Sequence, residues 1–173
     1  MKLTSKSICL RLIEEQDAAF VVKLRTDGKY NKYLSTVGDD VEAQRQWIMR
    51  YKEDEKAGNQ YYFIIEKLDG TPCGTVRVYD LRPTSFSWGS WILNEDKTKY
   101  AAIESALLVY EFGFGQLGFD QAHFEVMKGN DKVVSFHKKM GAVEVGEDEA
   151  HTYFEISMVA VEQAKERLAR IVG

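Results

Sequence analysis

Cysteine, proline and histidine are all scarce in this chain of 173 residues, at two, two and three. Two thiols, Cys9 and Cys73, make no disulfide framework, and neither stands in a CxxC or other metal-ligand spacing. No metal site is expected, and free thiols fit a reducing cytoplasm. Pro72 and Pro83 fall in stretches that read as turns, and no Pro/Gly/Ser-rich tract divides the sequence, so one domain over residues 1–173 is expected. No apolar run approaches the ~18–20 residues of a membrane-crossing helix. The opening MKLTSKSICLRLI has its short apolar run broken by Arg11 and does not read as a secretion signal. An excess of positive charge is missing too. The net charge is −4, so neither nucleic acid nor an anionic membrane is an expected partner.

What is present is ordinary globular material, 45% hydrophobic and 29% charged. A chain of this size buries about 70% of its unfolded surface without staples. Ser7 to Ile13 alternates as a strand, and Glu14 to Arg25 follows as a helix with Phe20, Val21 and Leu24 on one side. Residues 26–40 read as loop, and Asp40 is placed to cap a charged helix over Val41 to Lys56. YYFIIEK (Tyr61 to Lys67), the turn Leu68 to Thr71 and Cys73 to Tyr79 read as a hairpin. Ser85 to Leu93 is a further strand. Tyr100 to Leu117 has helical spacing and ends at Gly118. Gln121 to Met127 is a strand and Asp131 to Met140 a short helix stopped by Gly141. Ala142 to Val145 and Tyr153 to Met158 are two last strands before a closing helix, Val159 to Ile171.

The resulting order is β-α-α-β-β-β-α-β-α-β-β-α. Its central strand–helix–strand needs a crossover, which implies a locally parallel pair among otherwise antiparallel strands. The expected fold class is α/β (α+β), a mixed central sheet with helices on both faces.

Chemistry concentrates in two segments. The first is Asn130 to Gly141: a polar Asn at a strand-to-helix junction, the small Ser135, the ring pair Phe136-His137, then Lys139-Met140-Gly141. The second is Trp88-Gly89-Ser90-Trp91-Ile92-Leu93, running into Lys97-Thr98-Lys99-Tyr100-Ala101-Ala102 at a helix start. Helix N-termini present unpaired N–H groups and suit a pyrophosphate. Together with the element order, these segments resemble the GNAT N-acetyltransferase family, and the sugar-modifying or ribosomal-protein-acetylating branch in particular.

The resemblance implies a soluble enzyme that moves an acetyl group from acetyl-CoA to a primary amine by direct attack in a ternary complex. The acceptor would be an amino sugar or a nucleotide-linked amino sugar, or a protein N-terminus; a non-catalytic CoA-binding module is the reading from another class. A homodimer is a further expectation. The resemblance assigns backbone groups of Trp91, Ile92 and Leu93 to the thioester carbonyl and pantetheine arm. It assigns Lys97, Thr98, Lys99, Tyr100, Ala101 and Ala102 to the pyrophosphate, and Asn130, Ser135 and Lys138 to the rest of the cofactor. Family members carry glycines in that loop where this sequence has Thr98 and Tyr100.

His137 stands where relatives place a tyrosine acid. An ordinary His pKa near 6.5 would let it protonate the leaving thiolate, with Tyr100 and Tyr153 in reserve. Ser87 occupies the position of a frequent glutamate base, so Glu125, His151 or a water relay would take the amine proton. Arg25, Tyr30, Trp47 and His151 are assigned to the acceptor, although Trp47 and Tyr51 also fit a core stripe of their helix.

Overall fold

The structure, a computed structural model, describes residues 1–34 and 38–172. These form one eight-stranded mixed sheet in the order β1-β2-β3-β4-β5-β6-β8-β7. The strands are β1 (Lys2–Thr4), β2 (Ile8–Leu12), β3 (Tyr61–Lys67), β4 (Pro72–Tyr79), β5 (Ser85–Leu93), β6 (Gln121–Met127), β7 (Val143–Glu147) and β8 (His151–Ser157). The helices are α1 (Ala18–Thr26), α2 (Val41–Lys56), α3 (Ala101–Glu111), α4 (Asp131–Met140) and α5 (Met158–Val172). Every strand of the expected order is present, and β1 is added. It is three residues long with polar flanks, too short for alternation to reveal.

Boundaries shift where local chemistry intervenes. The expected first helix begins as a 3-10 turn, Glu15–Asp17, and the expected long central helix ends as a π-turn, Phe112–Gln116. Gly113 makes that π-turn pack. A Cβ there would sit 2.1 Å from the Phe86 ring. Asp40 caps α2 as expected, accepting from the Ala43 N–H at 3.1 Å. The expected loop 26–40 is seen except at residues 35–37, which lie outside the described residues.

Strand β3 shows why both faces are covered. Side chains alternate along a strand. Phe63 and Ile65 join a large core with α3, while Tyr62 and Ile64 join a smaller one with Ile48 and Tyr51 of α2. Tyr51 anchors that smaller layer, its hydroxyl accepting from the Tyr62 N–H at 2.6 Å.

Candidate active site

Strands β5 and β6 make the one parallel pair found among the described residues. They pair at Ser85↔Gln121 and Phe86↔Ala122 and then diverge. A β-bulge bends β5 away. Between Thr75↔Ile92 and Arg77↔Gly89, the two residues Ser90 and Trp91 face Val76 alone, with Ser90 at φ +47. Thr75 Oγ1 holds the bulge, donating to the Ser90 carbonyl at 2.9 Å. The two tryptophans are pinned from α3: Trp88 Nε1 donates to the Tyr110 hydroxyl at 3.2 Å and Trp91 Nε1 to Ser105 Oγ at 3.0 Å.

Past Phe86, the β6-facing edge of β5 has no strand partner among the described residues. A cavity of 280 Å³ fills the gap. Its walls are Trp88 to Leu93 of β5, Phe124 to Met127 of β6, Asn130, Val133 and His137 at α4, and Tyr30, Tyr33 and Leu34. The two nearby tyrosines touch both lips of the splay. Tyr30 donates to Glu95, and Tyr33 to the Gly129 carbonyl at 2.8 Å.

Seven of the residues singled out from sequence thus meet at this cleft: Tyr30, Trp91, Ile92, Leu93, Glu125, Asn130 and His137. Asn130 sits at the N-cap position of α4, yet its side chain makes no capping bond. Its amide is left for the cleft. His137 is 4% exposed and ringed by Trp88, Trp91, Phe124 and Phe136. Its Nδ1 is buried without a partner.

Loss of water pushes the His137 pKa down to about 3. The imidazole is therefore neutral at pH 7, and the imidazolium donor expected from an ordinary His pKa is not available. The correction has one cause, the aromatic cage that sequence alone could not close around the ring.

Ser87 and Glu125 reach a second cavity of 220 Å³, bounded also by Tyr79, Asp80, Arg82, His123 and Tyr153. Phe124 and Glu125 line both cavities. Of the reserve donors, Tyr153 lies in the second cavity and donates to Asp148 Oδ2 at 2.5 Å, while Tyr100 lines neither.

Several assignments fall outside both cavities. Ser135 and Lys138 are exposed on α4, and Lys138 pairs with Glu144 at 3.9 Å. Helical spacing explains this placement. Val133 and His137, four residues apart, take the cleft face and leave Ser135 and Lys138 outward. Trp47 belongs to the smaller core, stacked on Tyr51 at 5.7 Å. Arg25 is buried in α1, and His151 sits at the β7–β8 turn with its N–H on Asp148 Oδ1 at 2.6 Å. The segment Lys97 to Ala102 lines neither cavity and forms the entry to α3. There Lys97 and Lys99 are exposed, Thr98 Oγ1 meets Ser7 Oγ at 2.7 Å, and no side chain caps the helix at Tyr100.

A family model of the acetyltransferase (GNAT) domain matches residues 7–143. The chain belongs to the GNAT acetyltransferase family. Its fold matches FdhC, described as a nucleotide-linked sugar GNAT, with 52% identity and a TM-score of 0.91 over 100% of this chain and 99% of that one. Ribosomal-protein-S5-alanine acetyltransferase from Vibrio fischeri matches with 16% identity and a TM-score of 0.77, over 91% and 96%. A mutant of the spermidine N-acetyltransferase SpeG from Vibrio cholerae matches with 16% identity and a TM-score of 0.73, over 92% and 97%. At those identities the last two speak to the fold alone. Among curated protein sequences none matches.

As a GNAT enzyme, the chain transfers an acetyl group from acetyl-CoA to an amine. The splay fits that substrate on its own evidence. A peptide-like arm can bond to an unpaired strand edge as an added strand would, and the Asn130 side chain, which makes no capping bond, lies at the same cleft.

Proposed function

We propose that this GNAT enzyme acetylates the primary amine of a nucleotide-linked amino sugar, by direct attack while both substrates are bound. The observation that carries the acceptor class is the likeness to FdhC along essentially the whole of both chains. The meeting of two cavities at Phe124 and Glu125 supports the ternary arrangement, with acetyl-CoA in the splay and the amine arriving from the other side.

In this reading the free edge of Trp91 to Leu93 and the Asn130 amide hold the pantetheine arm. The uncapped start of α3, flanked by Lys97 and Lys99, faces the pyrophosphate. Glu125 takes the amine proton, which leaves the nitrogen lone pair free to attack. His137 acts as a neutral hydrogen-bonding group beside the thioester, not as an acid. The two buried free thiols fit a reducing compartment such as the cytoplasm.

Melting with and without acetyl-CoA, followed by thiol release across an amine panel, tests the proposal. A ligand at 100 times its dissociation constant adds about 2.7 kcal/mol. The wild type is expected to melt higher with acetyl-CoA and to turn over nucleotide-linked amino sugars in preference to peptide N-termini. Glu125→Gln should cut turnover about a hundredfold while keeping the acetyl-CoA shift. Preference for peptides refutes the acceptor class, and an unimpaired Glu125→Gln refutes the base.

A further inference from the structure

We infer that the Tyr79 hydroxyl is a hydrogen-bonding partner of the acceptor amine, delivered to the reacting centre by a stack of side chains behind it. The inference rests on the proposed reaction at the splay.

The geometry begins with the register of β4 and β5, where Arg77 faces Gly89 and Tyr79 faces Ser87. The phenol leans diagonally over Gly89. A Cβ built on that glycine would lie 2.9 Å from Tyr79 Oη. A contact that short would make the phenol shift, so the bare Cα at 89 lets the hydroxyl keep this place. Gly89 lines the splay, and Tyr79 lines the second cavity. The hydroxyl therefore stands at the partition between them, where Glu125 also stands.

Behind the ring is a layered support. The Arg77 guanidinium lies 5.0 Å from the Tyr79 ring centre and 5.7 Å from that of Trp47, so it is packed between the two. Gln60 Oε1 accepts from Arg77 Nε at 2.8 Å and fixes the guanidinium. Trp47 is itself stacked on Tyr51 in the smaller core. Such a stack leaves the phenol little freedom. Burial and the nearby Glu125 charge raise the Tyr79 pKa, and a hydrogen bond with Ser87 opposes them without cancelling the rise. The group is a neutral phenol at working pH.

A neutral phenol oxygen can accept one N–H of the amine while Glu125 receives the other proton. The nitrogen lone pair then points at the thioester carbonyl carbon. The C–N bond forms, the C–S bond breaks with its electron pair on sulfur, and the proton rests on Glu125. Tyr79 moves no proton; it fixes direction. Trp47 and Arg77 are positioning residues that act through it.

Hydroxylamine is the probe, because it is small and uncharged at pH 7 and needs no particular acceptor pocket. Tyr79→Phe keeps the stacked ring and removes only the oxygen. Transfer from acetyl-CoA to hydroxylamine should slow at least about tenfold, with the melting shift by acetyl-CoA and its KM unchanged. Trp47→Leu should slow transfer in the wild type and add nothing in Tyr79→Phe, since both act on one group. Wild-type rates in Tyr79→Phe, or a loss of acetyl-CoA binding that accounts for the slower rate, overturn the inference. A wild type whose melting ignores acetyl-CoA overturns the reaction at the splay instead, so the two failures are told apart.

Discussion

His137 couples the active site to acid stability. Its folded pKa, about 3, lies below the ordinary 6.5, because charging it means stripping water from an imidazolium inside an aromatic cage. The unfolded chain takes up the proton first as pH falls. The stability due to this group is therefore whole above pH 6.5 and is lost progressively down to about pH 3. At pH 5 the loss is roughly 2 kcal/mol. His137→Phe should keep the packing and abolish that loss, so urea titrations at pH 7 and pH 5 should show a smaller drop in the variant than in the wild type. Equal drops would mean that water reaches the ring.

At the scale of elements, the site depends on two departures from regularity. The bulge at Ser90 and Trp91 opens the splay, and the π-turn at Phe112–Gln116 carries α3 past the buried Phe86. Phe86 lies where β5 and β6 still pair, so its packing props the vertex of the cleft. Gly113→Ala would drive a methyl group into that ring, from 2.1 Å. Overpacking of a closed core costs about 1–3 kcal/mol. A loss of at least about 2 kcal/mol in the urea midpoint analysis is expected, with weaker acetyl-CoA binding because the vertex moves. A variant as stable as the wild type would show that the π-turn relaxes freely.

The whole molecule is built on unequal layers. The core under α3 and α5 gathers residues from β2 through β8, whereas the layer under α1 and α2 rests on a small cluster around Ile48, Tyr51, Tyr62 and Ile64. Only Ile48 and Tyr51 of the sixteen residues of α2 are buried. Local stability follows buried contacts, so the thin layer opens first. Hydrogen exchange should release the amides of α2 well before those of α3 and β3. The same layer carries Trp47, the rear of the stack behind Tyr79. Its openings should therefore be felt at the reacting centre, and uniform exchange across both layers would contradict that link.

Much of this was legible in the sequence because it is local. Alternation in YYFIIEK, the Asp40 cap, Gly118 and Gly141 as stops, and the Asn130 to Gly141 segment each depend on neighbours a few residues away, where the periods of strand and helix act. The parallel pairing of β5 with β6 followed from the length of the crossover. Three things were not local. The proton state of His137 was decided by rings from β5, β6 and β8, since desolvation sums over everything packed around a group. The turning of Ser135 and Lys138 to solvent depended on which face of α4 meets the cleft. Tyr79, on a neighbouring strand, became a candidate only when pairing laid it over Gly89, because cross-strand distance has no trace in chain order.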